Sequence, residues 1–135
     1  MARRLKSPTD RVTSSAALDA NDAFEQGHTL LADDVVFFSP VVHAPQPGNA
    51  ITSQYLTAAF HVFVNDSFRY VRELEGPRDA ALEFQVEIDG ISVNGIDLIK
   101  WNDDGRIVEF KVLIRPLKAI NLIHQKMAAM LQASQ

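Results

Sequence analysis

At 135 residues the chain has the length of one domain, and 47% apolar against 22% charged residues is the balance of a chain that packs a core. Seventeen acidic residues against 13 Lys and Arg give a net charge of −4, which argues against charge-driven binding to nucleic acid or an anionic membrane. The absence of cysteine excludes a disulfide framework, a thiolate metal site and a cysteine nucleophile, so a reducing, cytoplasmic setting is expected.

The basic start MARRLK runs into Ser7, Pro8, Thr9 and Asp10 instead of an apolar signal core, so export is not expected. The most apolar late stretch, residues 113–123, is interrupted by Arg115, Pro116, Lys118 and Asn121, far short of the ~20 apolar residues of a membrane span. Ser7, Pro8 and Asp10 together form a helix-start signal, and a first helix is predicted to about Ala20. Asn21 and Asp22 cap a second, short helix with Phe24, Gly27, His28 and Leu31 on one side, closed by Asp33 and Asp34. Residues 35–38 (VVFF) form a short strand stopped by Ser39 and Pro40, and HAPQPGN over residues 43–49 is a loop. Ile51, Tyr55, Leu56, Ala59, Phe60 and Phe63 then recur at helical spacing, with Asn49 or Thr52 as cap.

From residue 68 the period changes to two. Residues 68–75 (FRYVRELE) are a predicted strand, turned by Gly76, Pro77, Arg78 and Asp79. Leu82, Phe84, Val86 and Ile88 alternate with Glu83, Gln85, Glu87 and Asp89, one apolar and one charged face, until Gly90 breaks the pattern. Residues 96–101 and 107–114 form two more strands joined by a hairpin at Asn102, Asp103, Asp104 and Gly105. Pro116 opens a last helix with Leu117, Ile120, Ile123, Met127 and Met130 along one stripe. The expected fold is α+β in a single domain over residues 1–135.

This order of elements resembles the nuclear transport factor 2-like superfamily, especially its SnoaL-like and steroid delta-isomerase-like members. The resemblance runs from about Leu18 to the end and is carried by LDAND at 18–22, LADDV at 31–35, Ser39-Pro40, residues 48–60, GIDLIKW at 95–101, and residues 105–116. It implies a cone, in which a curved antiparallel sheet wraps N-terminal helices around an apolar pocket, with a C-terminal helix. It also implies a homodimer through the outer sheet face, where Glu83, Gln85, Glu87 and Asp89 lie near Lys100, Glu109, Lys111 and Arg115. Ketosteroid isomerases of this superfamily carry a basic Asp before the proline after the first strand, where Ser39 stands here. They also pair a first-helix Tyr with a strand Asp to hold an oxyanion. Ser14 or Ser15 replaces that Tyr, and Asp97 keeps the Asp. Limonene epoxide hydrolases carry an Arg two positions before their strand acid, where this chain has Gly95. Scytalone dehydratases use inner-sheet histidines, whereas His28, His43, His61 and His124 fall on expected helices or loops.

Asp97 is the catalytic candidate. Alternation places it with Ile99 and Trp101 on one strand face, opposite Ile96, Leu98 and Lys100. If that face looks inward, lost hydration raises the carboxyl pKa and suits it to proton transfer beside a carbonyl; the structural alternative is a hydrogen-bonded Asp near a strand start. Phe37, Ser39, Tyr55, Phe84, Val86, Ile99, Trp101 and Phe110 are the expected ligand-binding residues. Tyr55 is a candidate donor to substrate or to Asp97, and His43 a candidate proton carrier on its loop. No metal site and no cofactor are expected, because the histidines share no ligand spacing and no Gly-rich phosphate loop is present. Two readings remain: a cofactor-independent isomerase, cyclase or hydratase acting on a small apolar oxygenated molecule, and a noncatalytic small-ligand-binding or protein-association domain.

Overall fold

The computed structural model describes residues 30–133, so the two predicted N-terminal helices, with Ser14, Ser15, Leu18 and His28, lie outside the described residues. Six strands and two helices follow: β1 (Leu31–Phe38), β2 (Gln46–Pro47), α1 (Asn49–Phe63), β3 (Arg69–Glu75), β4 (Asp79–Ile88), β5 (Ile91–Trp101), β6 (Ile107–Arg115) and α2 (Leu117–Ala133). They form one curved, unclosed sheet in the order β2-β1-β6-β5-β4-β3, with both helices packed on it and on each other. The architecture is the α+β arrangement expected.

Strands β3 to β6 are a continuous antiparallel meander, and β1 joins its far edge in parallel with β6, Phe37 lying opposite Phe110. The meander follows from local turn chemistry. Asp89 and Gly90 both take positive φ, at 51° and 78°, which is the backbone of a tight two-residue hairpin between β4 and β5. Gly90 is therefore a turn and not the end of a sheet segment, and β5 begins at Ile91, five residues earlier than the sequence suggests. At the next hairpin the Asn102 side-chain oxygen accepts the Asp104 and Arg106 N–H groups at 2.9 and 3.0 Å, while Gly105 supplies φ 78°.

Leu31 is a second departure. It was expected on a helix, yet it is fully buried as the first residue of β1, opposite Ile107. Asp33 and Asp34, expected to end that helix, are exposed members of the strand where its register with β6 shifts. The predicted HAPQPGN loop contains the short β2, whose Gln46 and Pro47 pair with Phe37 and Val36.

The period-two pattern of β4 is realised as read: Leu82, Phe84, Val86 and Ile88 are buried, as are Phe37, Ile99, Phe110 and Val112 on neighbouring strands, and Ile114 is half-buried. Leu56 is buried from the helix side, and Phe60 packs partly against this core. The apolar stripe of α2 seats less fully than its spacing suggests, because Leu117 is 71% exposed at the helix start and Ala119 and Ile123 make the buried contact. No helix among the described residues is long and apolar enough to cross a membrane.

The outer sheet face is not purely polar. Lys100 lies 3.9 Å from Glu109 and Arg72 3.4 Å from Glu83, but Ile96 pairs with Leu113, and Leu98, Ala81 and Leu74 form an adjoining apolar row. Leu74, Ile96, Leu98 and Leu113 are all exposed.

Candidate active site

β5 places Asp97 on the inner sheet face between Leu82 of β4 and Val112 of β6. Both neighbours are buried, and Asp97 itself is 1% exposed. Ile96 and Leu98 face outward and Ile99 inward, so the facing read from alternation is the observed one. Burial disfavours the charged carboxylate and pushes the Asp97 pKa from 3.8 up to about 8.

Tyr70, not Tyr55, supplies the hydroxyl beside it. The Tyr70 Oη donates a long hydrogen bond of 3.5 Å to Asp97 Oδ2, which favours the carboxylate and partly opposes the effect of burial. Burial raises the Tyr70 pKa well above the ordinary phenol range, and the nearby charges of Asp97 and Glu73 raise it further, so the phenol keeps its proton. Glu73 is opposite Leu82 on the same inner face. Tyr70 is held by packing: its ring meets Phe68 edge-on at 5.2 Å, and Phe68 stacks on Phe84 at 5.4 Å. In the sequence Tyr70 is only one residue of the predicted strand 68–75, with no pattern that gives its facing. A register shift between Tyr70 and Arg72, which no residue pattern announces, decides its facing.

Gly95, two residues before Asp97, is occupied from above by the Phe84 ring. A Cβ there would overlap that ring and stand 2.7 Å from the Leu113 carbonyl oxygen. The arginine that limonene epoxide hydrolases place at this position has no room here.

The expected ligand-binding residues divide into two groups. Phe84, Ile99 and Phe110 are buried inner-face residues near Asp97, Val86 is buried further along the same face opposite Val93, and Trp101 is half-buried at the end of β5. Phe37, Ser39 and Tyr55 instead line a separate cavity between the end of β1, α1 and α2, with the Tyr55 ring stacked on Phe37 at 5.2 Å. Asp97 is not part of that cavity wall, although its β6 neighbour Val112 is. The Ser39 Oγ accepts the N–H groups of Val41 and Val42 at 3.0 and 3.3 Å, so it closes a turn where an isomerase carries its base. His43 is exposed and borders an open hollow beside Phe38 and Lys111. Among the described residues, no three His, Asp or Glu side chains come together to hold a metal ion.

Comparison with solved structures agrees with the fold. A steroid delta-isomerase from Pseudomonas aeruginosa is 33% identical over 89% of this chain and 88% of its own, with a TM-score of 0.79. An uncharacterized protein with a cystatin-like fold from Silicibacter pomeroyi is also 33% identical, over 82% of this chain and 77% of its own, with a TM-score of 0.74. SalBIII, an epoxide hydrolase/cyclase-like enzyme of pyran ring formation in the polyether salinomycin, shares the fold at 14% identity and a TM-score of 0.57, over 73% of this chain and 83% of its own. No protein-family model matches the sequence, and no curated protein matches it.

Proposed function

Because the chain belongs to the nuclear transport factor 2-like superfamily, which includes isomerases and cyclases, we propose that it is a cofactor-independent acid–base enzyme of the cytoplasm acting on a small apolar molecule that bears an oxygen. The observation that supports this is Asp97, a buried carboxyl with a pKa near 8 and a phenol aimed at one of its oxygens. Near neutral pH such a group is mostly protonated. It donates to a substrate carbonyl, ether or epoxide oxygen, and the negative charge that develops there is stabilised by a donor already in place and shielded from water. Tyr70 remains a donor throughout and fixes the orientation of the carboxyl.

The absence of a carboxylate at Ser39 supports oxygen activation by Asp97, as in cyclisation or hydration, over an isomerisation that moves a proton between two carbons. Asp97→Asn keeps the shape and removes the titrating proton. Turnover should fall by ~10²- to 10⁴-fold, the usual scale of one acid–base group, with binding retained. Kinetics on an identified substrate check this, and full activity of D97N would remove Asp97 from the mechanism. A pure binding domain, the alternative reading, would show only a modest change of affinity in D97N and no turnover in the parent chain.

The same reading includes a homodimer through the outer sheet face. The apolar rows of Leu74, Ala81 and Leu98 and of Ile96 and Leu113 are flanked by Lys100, Glu109, Arg72 and Glu83, an arrangement of apolar centre and charged rim that suits a second copy. Light scattering after gel filtration should give twice the chain mass at micromolar concentration, and a monomer at high micromolar concentration overturns the dimer.

A further inference from the structure

The outer face of the sheet carries more positive charge than it pairs. Lys100 lies 3.9 Å from Glu109 and Arg72 3.4 Å from Glu83, so these two cations are answered on the face itself. Lys111 and Arg115 of β6 are not: among the described residues neither makes an ion pair. In a chain of net charge −4 this is a local reversal of sign. Lys111 is also held in place. It is half-buried opposite Phe38 of β1, with its Nζ 4.8 Å from the centre of the Phe38 ring. A ring face positions an ammonium without neutralising it, so the charge stays available to an anion.

Beside this ammonium, β6 and the loop after β1 bound an open hollow of about 500 Å³. Phe38, Pro40, Val42 and Leu113 supply apolar wall, and Lys111 and His43 are its charged or titratable side chains; none of the described residues lining it is acidic. Val42 and Leu113 are 41% and 47% exposed, which leaves apolar surface in water next to an unanswered cation. Leu113 is two positions beyond Lys111 on the same strand, about 7 Å away at the usual strand rise.

We propose that this hollow is a binding site for a free amphiphilic anion, a medium-chain alkyl carboxylate. The carboxylate meets the Lys111 ammonium, and the tail runs along β6 over Leu113 and under Val42 of the loop. The wall is complete within one chain, so the site goes beyond the acid–base reading of Asp97 and depends on neither Asp97 nor a second copy.

Octanoate and octanamide titrated into the full chain test it, followed by the methyl signals of Val42 and Leu113 in proton–carbon correlation spectra. Octanoate should shift both signals saturably, with a dissociation constant on the order of 0.1–1 mM, as suits a ligand of about ten heavy atoms in an open site. Octanamide has the same shape and no charge, and should bind about fivefold more weakly, the scale of one partly exposed ion pair. Lys111→Met keeps an apolar stem against Phe38 and removes the ammonium, so it should weaken octanoate to the level of octanamide and leave octanamide unchanged. Val42→Asp, at an exposed loop position, should abolish octanoate binding, with thermal melting confirming the fold of both variants. Asp97→Asn should bind octanoate as the parent does. No saturable shift at Val42 and Leu113, or undiminished binding in the folded V42D variant, overturns the site. Equal affinity for the two probes, or undiminished octanoate binding in folded K111M, overturns the recognition of charge by Lys111, and loss of binding in a folded D97N overturns the independence from Asp97.

Discussion

Asp97→Asn should lose far less stability than the parent chain as the pH rises from about 4 to 8. The sign follows from burial. The folded-state pKa of Asp97 is raised to about 8 from 3.8, so between these values the folded chain holds a proton that the unfolded chain has released. Stability that is fully present below the lower value is therefore lost as the pH climbs through the window. At ~1.4 kcal/mol per pH unit, the term reaches up to about 5 kcal/mol. The charged and titratable groups facing Asp97 from β3 are Tyr70 and Glu73; Tyr70 keeps its proton across the window and so adds no slope of its own. Urea unfolding at pH 5 and pH 8 for both proteins checks the expectation, and parallel losses in parent and D97N would show that Asp97 does not carry the proton.

Gly95→Ala should destabilise the fold by about 3 kcal/mol, at the upper end of what one inserted methyl costs in a packed site. Intrinsic preference points the other way, since replacing Gly by Ala at a compatible position usually stabilises by ~0.4–1 kcal/mol through the unfolded chain. Packing decides the sign. The Phe84 ring that covers Gly95 cannot swing aside, being wedged edge-on against Phe63 at 5.6 Å and stacked on Phe68 at 5.4 Å. The second obstacle, the Leu113 carbonyl, is backbone of the β5–β6 ladder. Any adjustment displaces β5 and with it Asp97 relative to Tyr70. A neutral or stabilising effect in denaturant unfolding would mean that Phe84 yields.

Where one side-chain period spans a whole element, the sequence was enough. The alternation from Leu82 to Ile88 predicted the facing of β4, and that of Ile96 to Trp101 grouped Asp97 with Ile99 on the face that is buried, though which face looks inward rested on the family resemblance. It failed where local composition and tertiary pairing disagree. Ser92, Asn94 and Gly95 are poor strand formers, yet they sit in β5 because β4 and β6 pair with them on both sides. Leu31 carries helical spacing to its predecessors but is drawn into β1 by Ile107. Of the two acceptors open to Tyr55, substrate or Asp97, the second is taken by Tyr70, whose place depends on the irregular register of β3, while Tyr55 is committed to Phe37. The separation of Phe37, Ser39 and Tyr55 from Asp97 depends on where α2 packs, which its own stripe does not specify.

The parallel pairing of β1 with β6 has a consequence for the chain as it is synthesised. Strands β3 to β6 are each joined to their neighbour by a short turn, so the meander can assemble from nearby contacts as it appears. β1 is different, since Phe37 waits for Phe110, 73 positions later. During translation β1 emerges early with apolar Leu31, Val35 and Phe37 and only the two-residue β2 as a local sheet partner. Its docking site does not exist until β6 has left the ribosome. The first strand of the sheet is thus the last to find its place, and until it does its apolar residues stay open to aggregation.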